Sequence, residues 1–135
     1  MTGVQTCALP IYINTPEIHA EVSAVFARYE AALVGNDVAV LDELFWPSEF
    51  TIRYGTAEQL RGIEAIRAFR LARPAVGLAR SLAHTVITTF GRDFATAMTE
   101  FHRSGQANIG RQSQTWVRMP EGWRVVAAHV SLVPG

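Results

Sequence analysis

The chain has 135 residues, 49% of them hydrophobic and 18% charged, with 12 basic residues cancelling 12 acidic ones. That is the size of one domain, long enough to bury about two thirds of its unfolded surface without a metal or disulfide staple. Zero net charge argues against nucleic acid or an anionic membrane as the main partner, and no apolar run approaches the roughly 20 residues needed to cross a bilayer.

Residues 1–11 read as a non-native or disordered tail. They lack the basic start and long apolar middle of a secretion signal and resemble a translated sequencing adapter. The single cysteine, Cys7, falls within them, so neither an internal disulfide nor a cysteine metal cage is expected. With no secretion signal visible, the expected location is the cytoplasm. Residues 12–135 read as one α+β domain.

Thr15, Pro16 and Glu17 mark a helix start, by capping, by fitting the first turn and by complementing the helix dipole. Ile18, Val22, Val25, Phe26, Tyr29, Ala32 and Leu33 then recur at helical spacing, and Gly35 ends the run. Asn36 or Asp37 caps a short second helix with Val38, Leu41, Leu44 and Phe45 inward, closed by Trp46-Pro47. Phe50 to Tyr54 alternates as a short strand. Gly62 precedes a third helix, Ile63 to Arg73, which Pro74 stops. Strands follow over Ser81–Phe90 and Phe94–Arg103, and a closing hairpin turns at Met119-Pro120-Glu121-Gly122. Short links between these strands imply an antiparallel meander. Three helices on one face of a strongly curved sheet make a cone with a cavity inside.

The polar residues of the last quarter point to that cavity. Gln112, Gln114, His129 and Ser131 occupy strand positions where a plain sheet would carry Val or Ile, and a buried polar group without a partner costs about 1–3 kcal/mol. Tyr29 lies on the inward stripe of the first helix. Its hydroxyl either finds a backbone partner in the core or enters the cavity as donor or general acid. Alternation puts Arg53 and Thr51 opposite Phe50, Ile52 and Tyr54. Arg53 then faces either solvent or the cavity, where its fork of donors would match a carboxylate. Arg70 continues the apolar stripe of Ile63 and Ile66. It either snorkels at the helix end or turns inward as a second cationic fork for a dianion. Whether His129 and Ser131 share a face with Gln112 and Gln114 depends on the turn, because one residue of slip flips a strand. His84 and His102 read as surface or interface residues. No two histidines have metal-ligand spacing, no nucleophile elbow or phosphate loop is present, and no cofactor is expected. Catalysis then falls to positioning, arginine electrostatics and a weak acid or base.

Several stretches resemble the AtzH-like family, which includes the HpxZ-type proteins of oxalurate catabolism. They are Tyr29-Glu30-Ala31-Ala32-Leu33, Asn36 to Trp46, Arg53-Tyr54-Gly55, Ile66 to Arg70, Gly110-Arg111-Gln112 and Gly122 to Ser131. The resemblance runs from about Ile13 to Leu132. It implies the SnoaL-like, nuclear transport factor 2-like fold, a cone-shaped barrel commonly paired sheet to sheet as a homodimer. It also implies a small anionic, nitrogen-rich substrate such as 1,3-dicarboxyurea or oxalurate and a decarboxylating amidohydrolase activity. Tyr29 and Arg53 match that family's essential tyrosine and arginine. On this reading Tyr29 and Arg53 are catalytic, while Arg70, Gln112, Gln114 and His129 bind substrate. The alternative is a non-catalytic accessory subunit docking an amidase. An isomerase or dehydratase would want an Asp–His pair in the cavity, and none is found.

Overall fold

The computed structural model describes residues 10–134. Residues 1–9 of the expected tail, Cys7 among them, lie outside the described residues. Tyr12 to Asn14 run beside the edge of the sheet. The Asn14 amide donates to the Thr89 carbonyl at 3.0 Å, and the Thr89 amide donates back to Asn14 Oδ1 at 2.9 Å.

Helix α1 (Pro16–Val34) presents Ile18, Val22, Phe26, Tyr29, Ala32 and Leu33 to the core, the predicted stripe except for half-buried Val25. The Thr15 side chain makes no cap, contrary to expectation. Its carbonyl accepts from the His19 amide at 2.8 Å instead. Helix α2 (Val38–Leu44) is capped by Asp37, whose Oδ1 accepts from the Val40 amide at 3.2 Å. Helix α3 (Ile63–Ala72) stops one residue earlier than expected, because Arg73 precedes a proline and takes an extended backbone.

The sheet holds β1 (Ile52–Tyr54), β2 (Gln59–Arg61), β3 (Ser81–Phe90), β4 (Phe94–His102), β5 (Ile109–Met119) and β6 (Gly122–Val133), in the order β2-β1-β6-β5-β4-β3. It is curved and unclosed, with the three helices on its inner face. The meander from β3 to β6 is antiparallel, as its short links require. The exception to the antiparallel expectation is β1, which joins β6 in parallel and carries β2 on its far side.

Alternation sorts the faces. Ala95, Ala97, Thr99 and Phe101 of β4 and Gly110, Gln112, Gln114 and Trp116 of β5 are buried against the helices. Trp116 is 0% exposed and is the largest fully buried side chain. Side chains of this size contribute on the order of 1.5–3 kcal/mol each on burial. Trp123 Nε1 donates to Glu21 Oε1 at 3.0 Å, tying β6 to α1.

Gly110 shows how closely the inner layer packs. A Cβ there would run into the Phe101 ring, which itself is fully buried. Gly110→Ala is therefore expected to cost about 1–3 kcal/mol of stability, read as a lower urea midpoint, and an unchanged midpoint would refute this packing. Asp37→Ala should remove about 1 kcal/mol by the same measurement, the ordinary loss of an N-cap.

Candidate functional site

The interior site begins with Tyr29, which is 4% exposed. Its ring lies 6.2 Å from that of Phe45 and meets Trp116 edge-on at 6.5 Å. Helix α3 delivers Arg70 to the same neighbourhood. Arg70 is 3% exposed, lies 4.1 Å over the Phe45 ring and donates from Nη1 to Asp42 Oδ1 at 3.1 Å. Burial lowers its pKa and Arg53 adds to that, while Tyr29 and Asp42 oppose it. Arg70 turns inward, but its charge already has a carboxylate.

Arg53 faces inward because its strand partner on β6, Ala128, is an inner-face residue. It donates from Nη1 to Glu58 Oε2 at 3.0 Å and lies 5.3 Å over the Phe69 ring. Glu58 sits in the tight turn between β1 and β2. The absence of a Cβ at Gly55 leaves room for the Glu58 carboxylate in this pose.

Three further arginines gather at this end of the molecule. Arg80 is anchored. It donates from Nε and Nη2 to the two Glu30 oxygens at 2.8 and 2.7 Å, and from Nη2 to Gln112 Oε1 at 3.0 Å. Arg103 donates from Nε to the Gly77 carbonyl at 3.0 Å and lies 4.9 Å over the Phe101 ring. Arg73 keeps Nε and Nη2 buried with no hydrogen-bond partner. Burial lowers the pKa of both Arg73 and Arg103. The charge of Arg53 adds to this at Arg73, and those of Arg80 and Arg73 add to it at Arg103. Arg53, Arg73 and Arg103 together line a hollow of ≈ 220 Å³, walled by Phe69 and Phe101, with Glu58 at its side.

Gln112 and Gln114 add neutral donors. Gln114 Oε1 accepts from Trp116 Nε1 at 3.0 Å, and Gln112 Oε1 accepts from Arg80. Both partners are pure donors, so each amide is oriented with its oxygen engaged. Nε2 of each is left buried without a partner. The interior is thus rich in donors and short of acceptors, a setting for a ligand bearing carboxylate or carbonyl oxygens.

His129 does not join this group. It pairs with Ser113 on the opposite face of the sheet, exposed, with the Tyr54 ring edge-on at 5.9 Å. The register shift between Thr115 and Trp116 inserts Val126 into β6, and the extra residue reverses the facing of everything after it. The orienting role expected of His129 therefore has no place in the inner hollow, and Ser131 shares its face. A second hollow of ≈ 400 Å³ opens on that outer side, lined by His84, Met98, Glu100, Arg111 and His129 among others. It is larger, but its arginine donates to Ser131 Oγ at 3.3 Å and no second cation accompanies it.

The residues that sequence reasoning passed over are Glu58, Arg73, Arg80 and Arg103. Each arginine sits at an element end, just after α3, just before β3 and just after β4. Their common signal was position at one rim of the sheet. Among the described residues no three His, Cys, Asp or Glu side chains gather as metal ligands, and no helix is long and apolar enough to cross a membrane.

Comparison with known proteins agrees with this architecture. A crystal structure of a protein of unknown function from Pectobacterium atrosepticum is 66% identical, with a TM-score of 0.89 over 90% of this chain and 94% of that one. A cystatin-like fold protein from Burkholderia xenovorans is 50% identical, with a TM-score of 0.89 over 93% and 98% of the two chains. A nuclear transport factor 2-like superfamily protein from Salmonella enterica serovar Typhimurium is 27% identical, with a TM-score of 0.72 over 90% and 94%. No curated protein matches the chain. The AtzH-like family model matches residues 11–135, and the chain belongs to that family.

Proposed function

We propose that the protein is a hydrolase of a small ureido carboxylate such as oxalurate or, better matched to its arginines, an N-carboxy dicarboxylate such as 1,3-dicarboxyurea. The observation that carries this reading is the arginine-lined hollow at Arg53; the buried Tyr29 phenol and two amide groups with unpartnered N–H donors lie on the same inner side of the sheet, outside its lining. A volume of ≈ 220 Å³ suits a ligand of a few heavy atoms rather than a steroid or a peptide.

In this mechanism a substrate carboxylate takes the place of Glu58 on Arg53. The ureido carbonyl oxygen accepts from Gln112 or Gln114 Nε2, buried donors without a partner that lie inward of the hollow, so the substrate extends inward from Arg53. In 1,3-dicarboxyurea the reacting bond joins a terminal carboxyl carbon to nitrogen. As it breaks, carbon dioxide departs and nitrogen takes a proton, leaving allophanate. Tyr29 supplies that proton as general acid and recovers one from water afterwards, and the hydroxide so formed combines with carbon dioxide as bicarbonate, so the net reaction is a hydrolysis. Aromatic packing by Phe45 and Trp116 holds the phenol in place.

The same reading includes a homodimer packed through the outer face of the sheet, supported by exposed Val86 and Met98 there. Sedimentation of a monomer at micromolar concentration would refute that pairing.

Turnover of 1,3-dicarboxyurea and oxalurate tests the chemistry. Arg53→Ala should lower kcat/KM by at least about 100-fold, the scale of losing one fixed electrostatic donor. Tyr29→Phe should lower kcat by about 100-fold or more with little change in KM. Equal rates in wild type and Arg53→Ala would remove Arg53 from the mechanism. No turnover by the wild type alone, with co-purification of an amidase, would favour the accessory-subunit alternative.

A further inference from the structure

The interior carboxylates are allocated one to one. Glu30 pairs with Arg80, Asp42 with Arg70 and Glu58 with Arg53, at 2.7, 3.1 and 3.0 Å. Arg73 and Arg103 line the same hollow as Arg53 yet form no ion pair among the described residues. Arg73 Nε and Nη2 are shielded from solvent and bonded to nothing. Arg103 is steadied by the Gly77 carbonyl and the Phe101 ring. Two guanidiniums held near each other without a counter-ion repel, and partial burial sharpens the repulsion. An anion with two or more oxygens relieves it.

We propose that Arg73 and Arg103 form a second carboxylate clamp, so that the hollow takes a dicarboxylate with one carboxylate at Arg53 and the other between Arg73 and Arg103. This rests on the function proposed above and assigns its second subsite. It also replaces the partner expected from the sequence. Arg70 was the predicted second fork, but it is committed to Asp42 and does not line the hollow. Specificity follows: a monocarboxylate of similar size leaves the clamp unmatched and binds more weakly.

Calorimetric titration of the whole protein with malonate and with acetate tests the clamp. Wild type should bind malonate at least about tenfold tighter than acetate. Arg73→Gln and Arg103→Gln should each weaken malonate about tenfold or more and leave acetate unchanged, whereas Arg53→Gln should weaken both. Malonate affinity retained in the Arg73 and Arg103 variants but lost with Arg53→Gln overturns the clamp and leaves the proposed function standing. A wild type that binds neither anion overturns both. Should either glutamine variant fail to fold, Arg73→Lys and Arg103→Lys keep the charge without the fork. Loss of the malonate preference in them supports the clamp, and its persistence overturns it.

Discussion

Positive charge confined at one end of a small cone is the constraint that the rest of this structure answers to. A guanidinium stays protonated at neutral pH, so each arginine brought inside needs a carboxylate, an aromatic face or a ligand. An uncompensated buried ion costs several kcal/mol even after the protein relaxes. Glu30, Asp42 and Glu58 each neutralise one arginine, and Phe45, Phe69 and Phe101 receive guanidiniums on their rings. Arg73 and Arg103 have the Phe69 and Phe101 rings but no carboxylate among the described residues, and burial pulls the pKa of both down. A molecule that only had to fold would gain by replacing them. Their presence around a hollow is what a site for anions requires, because the ligand brings the missing charge.

The sheet separates this chemistry from a second surface. On the inner side Arg53, Arg73 and Arg103 line the hollow, while the amide N–H groups of Gln112 and Gln114 are buried outside its lining. On the outer side lie Met98, Glu100, Arg111, Ser113 and His129, a mixed lining with no concentration of charge. The one-residue offset at Thr115 and Trp116 sets which side His129 takes. The parallel pairing of β1 with β6 does the complementary work. It brings Arg53, from the middle of the chain, into register with Ala128 near its end and so puts the guanidinium at the rim of the cone.

Much of this was legible in the residues. The stripe from Ile18 to Leu33 located Tyr29 on the buried face, and alternation from Phe50 to Tyr54 put Arg53 on the face opposite Ile52 and Tyr54. The fold and family followed from stretches spread along almost the whole domain. What stayed hidden had physical causes. Gln59 to Arg61 is too short to declare itself a strand without the partner it pairs with. The facing of His129 depended on a bulge, which changes parity without changing composition. Arg73, Arg80 and Arg103 flank loops, where neither helical nor strand periodicity assigns a direction. Only the assembled, curved sheet shows that those loops meet at one rim.

The proposed function uses the inner hollow and not the histidine-bearing outer face. A crystal structure determined with malonate tests that placement most directly. The account predicts a dicarboxylate bound within hydrogen-bonding distance of Arg53, Arg73 and Arg103, with Glu58 turned away from Arg53. Malonate found only beside His84 and His129, or an inner hollow still closed by the Glu58 pair at saturating malonate, would contradict it.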